Sequence, residues 1–175
     1  FIQAVLAAGI NPVVHLPIKL GAAHLPELDH LFRAYANWGV RFVVVYDQPN
    51  RRTAWPAAEW SRPGLVDRYA QTILPLLKAM HAANLTPVLP PLAQGGDYWD
   101  TAFLQATLNA LLKHDQHELL LQSVQAVYGY TFGRQVNWGQ GGAEAWPNAH
   151  PYNPETGENS QGFNAFAWRS EERRV

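Results

Sequence analysis

With 175 residues, 47% of them hydrophobic and 15% charged, the chain is long enough to bury a core as a single domain spanning 1–175. A net charge of -1 gives it no electrostatic reason to seek nucleic acid, and no apolar run reaches the roughly 18 residues of a membrane-spanning helix. Zero cysteines leave oxidising and reducing compartments equally open, so a secreted or cell-surface location is expected only where the full chain carries a signal.

The first residue is Phe1 rather than an initiator Met, and residues 1–8 read as the last turns of an amphipathic helix capped by Gly9. A piece of a longer protein is therefore expected. Residues 11–16 (NPVVHL) form the first expected strand. A helix follows over 24–38, with Leu28, Leu31, Phe32 and Tyr35 at helical spacing and Gly39 to end it. The second strand, 41–46, is β-branched and aromatic without a polar break from Phe42 to Tyr46, which is the pattern of a strand buried on both faces. Polarity then reverses within one residue. Asp47, Gln48, Asn50, Arg51, Arg52, Trp55 and Trp60 crowd hydrogen-bonding and stacking groups past the carboxyl end of that strand, where parallel α/β architectures place their sites.

A second helix is expected over 65–83, with Leu65, Tyr69, Ile73, Leu77 and Met80 on one face and Pro75 implying a kink or a break into two. Residues 86–89 (TPVL) form a third strand, 102–113 a helix, 118–121 a short turn and 123–129 (SVQAVYG) a fourth strand. A last helix is expected from Gly162, and 148–161 reads as an exposed loop or lid. Strand and helix alternate at intervals long enough for right-handed parallel crossovers, so a doubly wound sheet and part of a (β/α)8 barrel both fit. The long aromatic segments follow the strands rather than the helices, which favours the partial barrel, about four parallel strands with crossover helices. No G-x-G-x-x-G or phosphate-loop motif occurs, so no nucleotide cofactor is expected.

Five of the seven tryptophans, Trp55, Trp60, Trp99, Trp138 and Trp146, fall in segments that follow a strand, whereas Trp38 and Trp168 fall in helices, where a core role is the default. As a set the five fit a cleft in which indole faces stack on sugar rings; taken singly, each could equally anchor a long loop. Arg51 and Arg52 could clamp a carboxylated sugar or pair with Glu59. His15 reads as a strand histidine with a satisfied hydrogen bond, with Lys19 beyond it able to reach the rim. His114 and His117 lack a third ligand at matching spacing, so no metal is expected. Gly139 to Gly142 reads as loop punctuation that opens no clear helix.

Asp47-Gln48-Pro49-Asn50, followed five residues later by Trp55, resembles the fourth-strand Asn-Glu-Pro-Asn motif of clan A (β/α)8 glycoside hydrolases. Residues 88–92 followed by Gly95-Gly96-Asp97-Tyr98 loosely resemble the fifth-strand end, and Val127-Tyr128-Gly129-Tyr130 falls where the sixth strand often carries His-x-Tyr. The resemblance implies strands three to six of a barrel whose remainder lies outside this chain. It also implies a polysaccharide or glycan partner touched by Asn50, Arg51, Trp55, Asp97, Tyr98, Trp99, Tyr128, Tyr130 and Trp138. The acid/base position is Gln48, and an amide has no titratable proton to deliver. A binding-only cleft is the expectation. The alternatives are an active glycosidase using Asp47, with Asp47 and Asp97 as a conceivable carboxylate pair, or using residues outside this chain, and a structural domain without a ligand.

Overall fold

The structure is a computed structural model that describes residues 1–131, 133–145, 163, 164 and 167, with the backbone alone at 143 and 144. Expectations for Trp146, Trp168, the loop 148–161 and the last helix lie outside the described residues.

The chain is mixed α/β. Its elements run α1 (Ile2–Ala7), β1 (Val13–Leu16), α2 (Leu25–Asn37), β2 (Phe42–Val45), α3 (Ala57–Trp60), α4 (Leu65–Ala82), β3 (Val88–Leu89), α5 (Asp100–Lys113), α6 (His117–Leu121), β4 (Val124–Gln125) and α7 (Gly142–Ala145), with a 3-10 turn over Arg52–Ala54 before α3. The strands form two parallel pairs. Val13 to Leu16 lie beside Phe42 to Val45, and Val88 and Leu89 beside Val124 and Gln125. A parallel bridge from Phe42 to Thr86 joins the two pairs.

Three helices hand the chain to the next strand in the same way. After α1, α2 and α4 the residue past the cap is left-handed: Gly9 at φ 76°, Gly39 at 91° and Asn84 at 60°. In each case its N–H bonds back three residues and the following N–H bonds back five: Ile10 to Val5, Val40 to Tyr35 and Leu85 to Met80, at 2.9–3.2 Å. That paired closure satisfies carbonyls that a helix end would otherwise leave open. It also turns the chain sharply, so each strand starts beside the helix that precedes it.

The core is built from the inward stripes of these helices on β2. Phe32, Val43, Val45, Ile73, Leu77, Met80, Phe103 and Leu111 are all fully buried. Tyr69 packs against Phe103 with ring centroids 5.1 Å apart. α4 is one helix, not the two that Pro75 allowed. Pro75 removes only the N–H that would have bonded the carbonyl of Gln71, and both residues are exposed, so water can take the place of the lost bond.

The strands are shorter than the sequence pattern suggests. β2 stops at Val45 because Tyr46 turns to φ 73°. β3 spans two residues because Pro87, Pro90 and Pro91 flank it and cannot donate to a ladder. β1 is not buried: Val13 is exposed and Val14, His15 and Leu16 half-buried. Trp38, expected in the core, is 49% exposed at the α2 cap, edge-on to Tyr35. Gly142 does open a short helix, α7. Among the described residues no helix is long and apolar enough to cross a membrane.

Candidate functional site

The carboxyl ends of β1 and β2 lie side by side because the two strands are parallel and in register through Leu16 and Val45. The Tyr46 N–H donates to the Leu16 carbonyl at 3.0 Å, and His15 Nε2 reaches the Tyr46 carbonyl at 2.9 Å. His15 is therefore the bonded strand histidine its position suggested. Past this point the chain is contorted. Tyr46 and Gln48 both have positive φ, 73° and 46°, on either side of Asp47. Bulky residues rarely adopt that conformation, and where they do it commonly serves to aim groups at a site. Strand alternation thus stops at Val45 and does not govern how Asp47 and Gln48 point.

Two hollows open here. The smaller, about 180 Å3, is lined by Pro17, Ile18, Lys19, Asp47, Gln48, Thr53 and Ala54. The larger, about 780 Å3, shares Lys19 and Thr53 with it and continues over Arg52, Trp55, Pro56 and Ser61. Together they make one groove between the loop after β1 and the loop after β2. The Leu20 N–H donates to the Ala54 carbonyl at 3.1 Å and fixes the separation of the two loops.

From the far side of the fold, the Tyr128 hydroxyl donates to Asp47 Oδ1 at 2.8 Å. Burial first, and then this bond to the carboxylate, hold the Tyr128 phenol well above the ordinary tyrosine range. Tyr130 stacks on Tyr128 at 5.1 Å and 27° and is 50% exposed. Tyr130 therefore sits next to the ring that touches Asp47.

The other candidates serve the scaffold. Asn50 is fully buried: its Nδ2 donates to the carbonyls of Ala93 (2.8 Å) and Tyr98 (2.9 Å), and its Oδ1 accepts the Ala93 N–H at 2.8 Å. The side chain thus clamps the segment after β3 to the end of β2, and it has no polar atom left to offer a ligand. Gly96 makes room for it, since a Cβ there would stand 2.6 Å from Asn50 Nδ2. Asp97 Oδ2 accepts the Arg52 N–H at 2.8 Å while Asp47 accepts from Tyr128, so the two carboxylates are engaged by separate partners. Tyr98 packs edge-on against Phe103.

Trp55 is buried, its Nε1 donating to the Pro49 carbonyl at 2.7 Å and its ring edge-on to Trp60; only a sliver of it floors the larger hollow. Trp99, exposed at the start of α5, and Trp138, under the Arg134 guanidinium at 4.4 Å, line neither hollow. Glu59 pairs with Arg62 and Arg68, not with Arg51 or Arg52. His114 and His117 are exposed, and no cluster of potential metal ligands occurs among the described residues. Thr53 and Ser61 had gone unnoticed in the sequence, since lone hydroxyl residues in a loop carry no signal of their own.

No family model, curated protein or solved structure matches the chain. The class that the fold itself defines is a mixed α/β chain with parallel strand pairs and a groove at the carboxyl ends of β1 and β2.

Proposed function

We propose that the chain forms four successive units of a (β/α)8-type barrel and binds a saccharide in this groove without cleaving it. The strands are parallel throughout and neighbour one another in chain order, which favours continuous winding over a doubly wound sheet with a reversal. The observation that carries the functional reading is the Tyr128–Asp47 bond. It joins the end of the fourth strand region to the end of the second, and so sets the Tyr128–Tyr130 aromatic pair beside a carboxylate and an amide. An aromatic face beside hydrogen-bonding groups suits a sugar ring, with its apolar C–H face and ring of hydroxyls.

Binding without hydrolysis follows from Gln48, an amide at the position where the resemblance places an acid, and from Asp47 being engaged by a phenol whose own proton is tightly held. Titration calorimetry against an oligosaccharide panel, paired with a reducing-sugar assay, tests both halves. The wild type is expected to bind without turnover, and Tyr130→Ala to weaken binding roughly tenfold, the scale of one lost aromatic contact. Hydrolysis that disappears in Asp47→Asn would replace this reading with an active glycosidase. Failure to bind any saccharide would end it. The inward packing of Trp55, Trp60 and Asn50 favours one competitor, a structural domain whose aromatics only anchor loops, and null binding is what that reading expects.

A further inference from the structure

The larger hollow is cationic in a way that a site for neutral sugars does not need. Lys19, from the loop after β1, and Arg52, from the loop after β2, both line it, and no acidic residue does. The acidic groups nearby already have partners. Glu59 faces Arg62 and Arg68, Asp97 accepts the main-chain N–H of Arg52, and Asp47, in the smaller hollow, accepts from Tyr128. Among the described residues, neither the Lys19 ammonium nor the Arg52 guanidinium forms a salt bridge. Both residues are exposed, so neither charge is trapped in the core.

We infer that the groove selects an acidic saccharide, one whose sugar units carry carboxylates, as in a chain of uronic acids. This rests on the saccharide reading above and narrows it. A guanidinium presents a planar pair of N–H donors that matches a carboxylate, and an ammonium adds a second positive charge from the facing loop. Thr53 and Ser61 offer hydroxyls to the sugar, and the edge of Trp55 gives the floor an apolar strip. The volume of about 780 Å3 lies within the roughly 300–1,000 Å3 of ordinary ligand pockets.

The test is calorimetry on the intact protein at low ionic strength with three probes. They are an oligogalacturonate, the same oligomer with its carboxyl groups reduced to alcohols, and a short polyglutamate of equal charge. The acidic oligomer is expected to bind roughly tenfold tighter than its reduced counterpart, the scale of two exposed charge pairs, and to lose that margin as salt is added. In the double variant Lys19→Gln/Arg52→Gln the margin is expected to shrink to within about twofold. Circular dichroism would verify that the variant is folded.

Equal binding of the acidic and reduced oligomers would overturn the acidic preference and leave the saccharide reading standing. Binding of neither would overturn both. Polyglutamate binding as tightly as the oligogalacturonate would also overturn the inference, because the cations would then be gathering negative charge without reading sugar.

Discussion

Asn50 shows how one side chain can hold two loops together. Its amide meets three main-chain groups of residues 93 and 98 in a site closed to water, so Asn50→Ala would leave buried donors and acceptors unpaired. A loss of about 3 kcal/mol in urea unfolding is expected, with faster amide exchange confined to 93–98. Gly96→Ala attacks the same contact from the other side, its new Cβ meeting Asn50 Nδ2 at 2.6 Å. The double variant Asn50→Ala/Gly96→Ala is therefore expected to cost clearly less than the sum of the two single variants, and strict additivity would show that the residues do not share this contact. The sequence marked Asn50 as a residue at a strand end because its neighbours flip polarity there. It could not reveal the clamp, because the partners are main-chain atoms, which carry no sequence signature. The burial of Trp55 was hidden for a related reason: an indole in a loop reads the same whether it faces outward or donates to the Pro49 carbonyl.

The helix-to-strand turn is the repeated element of this chain, and its energetics can be isolated. At Gly39 a Cβ would make only ordinary contact with Leu6 Cδ1 at 3.8 Å, so Gly39→Ala would pay in backbone conformation alone. A destabilisation of about 1–2 kcal/mol by urea titration is expected, with the transition slope unchanged. Pro75 offers the opposite case. Exposed inside α4, it withholds one helical hydrogen bond, and Pro75→Ala is expected to raise stability by about 2 kcal/mol after allowing for the freer unfolded chain. Gly9 and Gly39 were legible as helix stops because glycine is the usual residue for a left-handed turn. Asn84 makes the same turn but was not, because asparagine suits many loop conformations besides this one. Strand existence was likewise readable from β-branched runs. Strand length was not, because a φ reversal at Tyr46 and the prolines around β3 cut the ladders short.

Across the whole molecule, several tyrosines make the fold sensitive to alkali. Burial pushes Tyr46 up to about 12 from 10.0 and holds Tyr69 well above 10.0, and Tyr128 is raised as well. An unfolded tyrosine gives up its proton near 10.0 while the folded one still holds it. The native state therefore binds more protons in that window, and stability falls as pH rises. Below the unfolded value the contribution is fully present; above it, stability is lost progressively until the folded groups also ionise. Urea midpoints are expected to be flat around pH 7–9 and to decline from about pH 10 upward, with tyrosinate absorbance at about 295 nm rising together with unfolding. The parallel α/β character was evident from the alternation of strands and helices. The groove was only half evident, because its two walls lie some 30 residues apart in sequence and Tyr128 is farther still. That distance has a practical consequence. A groove lined by residues 17–22 on one side and by 47, 48, 52–57 and 61 on the other exists only when both strand ends are in place, so a molecule occupying it protects the packing of the two units rather than one loop. At about a hundred times its dissociation constant such a molecule would add about 2.7 kcal/mol, enough to make a shift in melting temperature a direct way to screen for it.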